Sequence, residues 1–230
     1  MKIFIGYDER ESVAYHVATQ SIIENTKAEV SISPLNINTL KELGVYDKPL
    51  DDRASNSFSY TRFLTPYLSD FVGTSIYLDP DVVVLGDLTE LVRMVECGNV
   101  FSPVYVAKHN YKPRMQKKYF GAKQYAYRRK NWSSVMVFRN SACKILSPEY
   151  INSASPATLH QMEWVNSSSK NREVGEIPKE WNWLVDEYPH NEDAKILHYT
   201  NGIPAIDGFG DSGHSDVWWE YYNRAQRCRV

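Results

Sequence analysis

Apolar and polar positions near the amino terminus follow the order of a strand, a helix and a second strand. Residues Lys2–Gly6 form a short apolar run, and Ser12–Asn25 carries apolar residues at helical spacing. Residues 30–35 alternate between apolar and polar side chains, which is typical of a half-buried strand. This order within the first 35 residues predicts the βαβ unit of an α/β protein with a parallel sheet.

The same kind of pattern predicts the remaining elements. Further strands are predicted at residues 75–78, 82–85, 100–107, 134–138 and 194–199. Further helices are predicted at residues 59–68, 87–95, 156–165 and 218–229, and Pro66 would bend or end the first of them. Since neither internal repeats nor a low-complexity linker interrupt the chain, we expect residues 1–230 to form a single domain.

Composition and charge exclude several classes of protein. Apolar residues make up 43% and charged residues 23%, which excludes a disordered or collagen-like chain. Lys and Arg number 26 against 28 Asp and Glu, so no global basic charge indicates a nucleic-acid partner. The sequence shows no membrane-spanning run, no signal peptide and no metal-like spacing of its three cysteines. We therefore expect a cytoplasmic protein.

Basic residues are concentrated in one stretch of the chain. No acidic residue lies between Glu96 and Glu149, whereas nine Lys and Arg residues lie within residues 108–130, with aromatic residues among them. One interpretation is a solvated, partly helical insert. The other is a flap that meets an anionic group, such as a phosphorylated acceptor, a nucleotide diphosphate or a membrane surface.

Two carboxylates follow one of the apolar strands. Asp79 and Asp81 flank Pro80 at the carboxyl end of residues 75–78, where open α/β sheets place their ligands. In extended chain both side chains face the same side and can reach one cation. Their oxygen atoms suit Mg²⁺ or Mn²⁺, which in turn would hold the phosphates of a nucleotide. The alternative is a β-turn in which a carboxylate only caps the next segment.

In five blocks that occur in the same order, the chain resembles glycosyltransferase family 8. The blocks are residues 4–8, 59–63, 77–88, 132–138 and 198–204. The resemblance implies a GT-A fold, a Rossmann-like domain with a mostly parallel central sheet and helices on both faces. It implies a nucleotide-sugar-binding half at residues 1–105 and an acceptor-side half at 106–205, and residues 206–230 then form an aromatic and basic tail.

The resemblance also implies roles for individual residues. It implies a metal site of Asp79, Asp81 and His198, and the histidine shifts the preferred ion toward Mn²⁺. The residues implied to contact the donor are Tyr7, Asp8, Arg62, Leu78, Asp79, Pro80, Asp81 and Gly202. Asp8 would contact the base or ribose, and Arg62 the donor sugar and diphosphate. Alternatively, Asp8 caps the following helix, Arg62 pairs with a surface carboxylate, and His198 is a core histidine.

Catalytic residues come from both halves of the chain. The predicted set is Asp81, Arg62, Gln161 and Glu163, with Glu163 as the general base if the reaction inverts configuration. The chain departs from the family where residues 132–134 replace a block with Asn and small residues. It departs again at Ile203, where the family commonly has a Lys before Pro-Trp. The basic stretch 108–130 is then a candidate source of the missing positive charge.

Together these features predict a metal-dependent glycosyltransferase of the hexosyltransferase type. It would move a sugar from a nucleotide-diphosphate sugar, a UDP-sugar being favoured, to a glycan or glycolipid acceptor in polysaccharide biosynthesis. The resemblance implies retention of configuration.

Alternative functions belong to two other classes. The first is a non-catalytic carbohydrate- or nucleotide-sugar-binding protein of the same fold. The second is a sugar nucleotidyltransferase, but residues 6–11 contain one glycine and three acids instead of a Gly-rich loop. The aromatic tail is expected to pack against the domain or to make a peripheral membrane contact.

Overall fold

Strands and helices alternate along the first half of the protein, as the hydrophobic pattern predicts. The computed structural model describes residues 1–49, 58–98, 101–115, 121, 128–167 and 173–227. The strands are β1 (Lys2–Gly6), β2 (Ser31–Leu35), β3 (Thr74–Leu78), β4 (Val82–Val84), β5 (Val104–Ala107), β6 (Val135–Arg139), β7 (Gly175–Ile177), β8 (Trp183–Leu184) and β9 (Ile196–His198). The α-helices are α1 (Ser12–Asn25), α2 (Ile37–Glu42), α3 (Thr65–Leu68), α4 (Leu88–Cys97), α5 (Pro148–Ser153), α6 (Pro156–His160), α7 (Trp164–Ser167) and α8 (Ser215–Ala225).

Two of the predicted helices are divided in the structure. Residues 59–68 contain a 3-10 turn at Thr61–Leu64 followed by α3, because Pro66 fits only the first turn of an α-helix. Residues 156–165 divide into α6 and α7. Met162 between them has a φ of 53°, in the left-handed region that does not continue a helix.

A six-stranded sheet lies at the centre of the fold, with the strand order β2-β1-β3-β6-β5-β7. β1 pairs in parallel with β2 and β3, and β5 pairs in parallel with β7. β6 runs antiparallel to its neighbours β3 and β5. The predicted mostly parallel sheet is therefore confirmed.

Helices cover both faces of this sheet, because alternate residues of a strand point to opposite faces. In β1, Phe4 joins a core formed with α2, α3, α5, α6 and α7. Its neighbours Ile3 and Ile5 join the core formed with α1 and α4. Burial of each such side chain stabilises the folded protein by about 1.5–3 kcal/mol. The alternation of side chains in β1 therefore determines which helices cover each face of the sheet.

The carboxyl ends of β1 and β3 meet at one edge of the sheet. Ile5 pairs with Leu78, so the segments that follow these two strands lie side by side. β4 then leaves the central sheet and joins a three-stranded sheet of order β4-β9-β8. Val82 pairs with His198 across the antiparallel strands β4 and β9, which brings His198 beside Asp81.

The carboxyl-terminal helix α8 packs against α1. Trp218 is fully buried, and the hydroxyl of Tyr221 accepts a 2.7 Å hydrogen bond from the Asn25 side chain. Packing is therefore the observed role of this helix, and the described residues give no support to the predicted membrane contact. No helix in the described part of the chain is long and apolar enough to span a membrane.

Candidate active site

Asp79 is held in a buried position directly after β3. Its Oδ1 accepts a 2.6 Å hydrogen bond from the Tyr77 hydroxyl and lies 3.1 Å from Nη1 of Arg62. Its backbone N–H donates a 2.8 Å hydrogen bond to the carbonyl of Ser134. Burial raises the pKa of Asp79 above its ordinary value, and the Arg62 guanidinium acts in the opposite direction. Tyr77 and Arg62 thus both fix the position of this carboxylate through Oδ1.

Arg62 is buried beside this carboxylate. Its Nη1 donates a 2.8 Å hydrogen bond to the carbonyl of Ser133. The guanidinium carbon lies 5.1 Å from the ring centre of Tyr77 and 5.6 Å from that of Phe58. Arg62 thus pairs with the buried Asp79.

Gly6 at the end of β1 leaves room for this packing. A Cβ atom at Gly6 would lie 2.6 Å from the Phe58 ring and 2.8 Å from the Tyr77 hydroxyl oxygen. Ordinary contacts of a Cβ atom begin near 3.4 Å, so a larger residue would displace both rings. Gly6 and Tyr77 therefore support the Asp79–Arg62 pair, a role that sequence analysis assigned to neither of them.

Asp81 and His198 face each other beside the paired strands β4 and β9. Nε2 of His198 lies 3.4 Å from Oδ1 of Asp81, and both side chains are buried. One ligand atom from each of Asp79, Asp81 and His198 lies within 4.8 Å of the other two. The structure thus brings together the three residues that were predicted to hold a metal ion.

Asn182 supports this cluster, although the sequence did not indicate it as part of the metal site. It is fully buried, and its Oδ1 lies 2.9 Å from Nδ1 of His198. Its Nδ2 donates to the Ser134 hydroxyl oxygen at 2.9 Å and to the Asn131 carbonyl at 3.2 Å. The signal for this residue in the sequence is weak, since it is one amide between two tryptophans.

Asp8 lies after β1 and caps the 3-10 turn Glu9–Glu11. Its Oδ1 accepts hydrogen bonds from the backbone N–H of Arg10 at 3.1 Å and from Nε of the same residue at 2.9 Å. Its Oδ2 accepts from Nη2 of Arg10 at 2.6 Å. The capping alternative is therefore observed, and contact with a base or ribose stays a prediction. Tyr7 is half-buried, with its ring edge-on to Tyr15 at 5.7 Å.

The other predicted residues differ in their exposure. Leu78 and Pro80 are buried, and Leu78 belongs to the apolar core. Gly202 is also buried and has a φ of 154°. Gln161 is half-buried and Glu163 is exposed, in the segment between α6 and α7. Their roles in donor binding and catalysis stay predictions.

The structure describes part of the basic stretch 108–130. Residues 116–120 and 122–127 lie outside the described residues. Arg129 donates a hydrogen bond to the carbonyl of Gln161, and its guanidinium carbon lies 5.1 Å from the ring centre of Trp132. Nζ of Lys108 lies 5.9 Å from the same ring. Two cations of the stretch thus pack on one aromatic residue, and both interpretations of the stretch stay predictions.

Comparison with known proteins decides the family. The family model for Glycosyl transferase family 8 matches residues 8–204 of the chain. This range includes Asp8, Arg62, Asp79, Asp81 and His198. The chain belongs to glycosyl transferase family 8. A relative from Arabidopsis thaliana, Protein CDI, is 35% identical to this family 8 chain over 236 residues. The match covers 98% of this chain and 88% of the relative.

Solved structures show the fold that this family 8 chain shares with other proteins. Apo GlyE, a glycosyltransferase of Streptococcus pneumoniae TIGR4, is similar with a TM-score of 0.57 and 16% identity. The match covers 96% of this chain and 59% of GlyE. The galactosyltransferase LgtC, solved with donor and acceptor sugar analogues, gives a TM-score of 0.56 at 12% identity, over 100% of this chain and 98% of LgtC. The predicted GT-A fold is therefore confirmed, and the match to the family supports a glycosyltransferase.

Proposed function

We propose that this family 8 protein is a metal-dependent glycosyltransferase that moves a hexose, with retention of configuration, to a glycan or glycolipid acceptor. Its donor is a nucleoside diphosphate sugar, with a UDP-sugar favoured. The observation that carries the proposal is the cluster of Asp79, Asp81 and His198, whose ligand atoms lie within 4.8 Å of one another. The cluster lies at the carboxyl edge of the sheet, where α/β proteins of this kind bind nucleotides.

The residues of the cluster fit a divalent cation. Two carboxylates and one imidazole suit Mn²⁺, and the carboxylate oxygens also suit Mg²⁺. All three side chains are buried, so the cluster brings two carboxylates together with little water to separate their charges. A bound cation offsets that repulsion, and it would neutralise the charge that develops on the diphosphate when the glycosidic bond breaks.

Residues at the ends of β1 and β3 would position the donor. Asp79 is oriented by Tyr77 and Arg62, and the Arg62 guanidinium would add positive charge near the donor sugar and diphosphate. Asp8 and Tyr7 would meet the base or ribose. In this arrangement residues 1–105 bind the donor within a single domain.

Gln161 and Glu163 would lie on the acceptor side, with residues 106–205. A chain of hydrogen bonds supports this placement. The hydroxyl oxygen of Ser133 lies 3.3 Å from Nη1 of Arg62 and 3.1 Å from Nδ1 of His160. His160 directly precedes Gln161. Through Ser133, the segment between α6 and α7 is therefore linked to Arg62, which is proposed to contact the donor.

A non-catalytic sugar-binding protein of the same fold is the second candidate, and one observation favours it. Ile203, where the family commonly carries a lysine, is buried in the apolar core with Tyr199 and Trp218. It therefore brings no positive charge to a diphosphate. In the catalytic proposal that charge comes from Arg62 or from the basic stretch 108–130.

Thermal unfolding with a panel of nucleoside diphosphates and nucleotide sugars tests the proposal. Each ligand is added with and without Mn²⁺, and one present at a hundred times its dissociation constant stabilises the native state by about 2.7 kcal/mol. We expect one nucleotide to raise the melting temperature only when Mn²⁺ is present. The matching nucleotide sugar should then release its diphosphate when acceptor glycans are added.

Two variants make this experiment selective. Asp81→Ala should lose the Mn²⁺-dependent shift, whereas the exposed carboxylate of Asp193 offers the matched control Asp193→Ala, which should keep it. An unchanged shift in Asp81→Ala contradicts the metal assignment. If no nucleotide causes a shift but the protein binds to an array of glycans, the second candidate is favoured instead.

A further inference from the structure

We infer that Asn182 is a positioning residue that selects the tautomer of His198 and so directs the Nε2 lone pair of that ring toward Asp81. The inference rests on the proposed metal site and extends it to a residue outside the cluster. Asn182 is fully buried and lies directly before β8, so its side chain has fixed neighbours.

The direction of each hydrogen bond at Asn182 follows from its partners. The Ser134 hydroxyl donates a 2.8 Å hydrogen bond to the carbonyl of Asn131, so its oxygen is free to accept one from Asn182. The Asn131 carbonyl can only accept, and its oxygen lies 3.2 Å from Nδ2 of Asn182. Nδ2 of Asn182 therefore points to two acceptors, and Oδ1 points to Nδ1 of His198 at 2.9 Å. Since Oδ1 can only accept, Nδ1 of His198 carries the hydrogen.

The amide cannot turn over without losing these bonds. In the reversed orientation Oδ1 would face the Asn131 carbonyl, so two atoms that can only accept would lie 3.2 Å apart. Asn131 is itself held, because its Nδ2 donates to Thr200 Oγ1 at 2.9 Å and to the Tyr111 hydroxyl at 2.8 Å. The orientation of Asn182 is therefore set by the protein before any ligand binds.

The tautomer has a direct consequence for the cluster. A neutral imidazole with its hydrogen on Nδ1 presents a lone pair at Nε2. This nitrogen lies 3.4 Å from the carboxylate oxygen Oδ1 of Asp81, and both side chains belong to the cluster that could hold a metal ion. His198 and Asp81 would together hold a divalent cation, which would offset the negative charge of the carboxylate. Residues that orient a metal-binding histidine in this way typically change metal affinity when they are replaced.

Binding of Mn²⁺ alone to the full chain, followed by electron paramagnetic resonance, tests the inference. Asn182→Leu removes the acceptor for Nδ1–H at similar volume, and we expect it to weaken Mn²⁺ binding roughly 10- to 100-fold. Asn182→Asp keeps an acceptor at the same place and should retain most of the affinity. A purely structural role of Asn182 would instead lower the stability of both variants and leave the Mn²⁺ affinity of the folded protein unchanged.

Asn140 offers a matched control. It directly follows β6, whereas Ser134, the partner of Asn182, directly precedes that strand. It is also fully buried, donates to the Val72 carbonyl at 2.8 Å and accepts from the Ser75 hydroxyl at 2.7 Å. Asn140→Leu should lower stability as Asn182→Leu does, and should leave Mn²⁺ binding at the wild-type value. Equal Mn²⁺ affinity of Asn182→Leu and the wild type would overturn the inference.

The tautomer can also be observed directly in the wild-type protein, without a variant that must fold. Histidine labelled with ¹⁵N gives long-range proton–nitrogen spectra that distinguish the two tautomers, and His198→Gln identifies the signals of His198. We expect Nδ1 to carry a hydrogen in metal-free protein, and a ring with its only hydrogen on Nε2 would overturn the inference. A wild type with hydrogen on Nδ1 that binds no Mn²⁺ would instead contradict the proposed function, so the two failures are distinguishable.

Discussion

Replacement of Gly6 by alanine would test how the end of β1 supports the candidate site. The added Cβ would lie 2.6 Å from the Phe58 ring and 2.8 Å from the Tyr77 hydroxyl. Neither ring can turn away into solvent, because Phe58 is 1% and Tyr77 0% exposed. Overpacking of this kind costs about 1–3 kcal/mol, and a displaced Tyr77 would also weaken its hydrogen bond to Asp79, which is worth about 1.5–3 kcal/mol. We expect the free energy of unfolding to fall by about 2–5 kcal/mol.

Urea unfolding followed by circular dichroism measures this loss, provided that the slope of the transition stays unchanged. Gly210→Ala is the matched control, since the nearest atom to a Cβ there is the Pro204 carbonyl oxygen at 3.9 Å. Phe58→Leu in the Gly6→Ala background removes ring atoms at the clash and should recover part of the lost stability. If Gly6→Ala were as stable as the wild type, the packing argument for Gly6 would be refuted.

Three further changes probe the same region. Tyr77→Phe keeps the ring but removes the 2.6 Å hydrogen bond to Asp79, so metal-free protein should lose about 1.5–3 kcal/mol in urea unfolding; unchanged stability would contradict this. Arg62→Gln removes the cation beside buried Asp79, and the loss of stability should be larger, about 3–5 kcal/mol, in the same assay. Burial, with a smaller effect of Arg62, lowers the pKa of His160 to about 3, compared with about 6.5 in unfolded chain. Because the folded pKa is the lower one, the contribution of His160 to stability is complete above pH 6.5 and is lost as the pH falls toward 3. The free energy of unfolding, measured from pH 7 to pH 4, should therefore fall less steeply in His160→Gln than in the wild type. An equal slope in both proteins would show that His160 does not cause the loss of stability at low pH.

Local patterns in the sequence were sufficient for the elements that carry the site. The bounds of β1 and α1 agree with their prediction because an apolar run and a helical spacing are properties of consecutive residues. The position of Asp79 and Asp81 after a buried strand also follows from consecutive residues, because an apolar run directly precedes them. The proline itself predicted the break at Pro66. The break at Met162 was not predicted, because a left-handed backbone conformation at one residue leaves the apolar spacing unchanged.

The support of the site could not be predicted locally, because it depends on contacts between distant segments. The importance of Gly6 follows from Phe58 and Tyr77, which pack against it from two other segments of the chain. Nothing in the residues around Gly6 indicates those neighbours. The resemblance to family 8 supplied His198 as a ligand, but it did not indicate Tyr77 or Asn182 as residues that orient the ligands.

The small sheet β4-β9-β8 explains why these residues converge. Asp81 directly precedes β4 and His198 ends β9, so one end of this antiparallel pair carries both of them. Asn182 directly precedes β8, which runs parallel to β9, and its side chain reaches the His198 ring. The register decides the outcome, because Val82 and Leu184 both pair with His198. A slip of one residue would turn the His198 side chain to the opposite face, away from both Asp81 and Asn182. The hydrogen bond from the backbone of Tyr199 to the Asp81 carbonyl, at 2.8 Å, holds that register at the site itself. Because the pairing of distant strands does not follow from local sequence patterns, these patterns did not indicate the contact between Asn182 and His198.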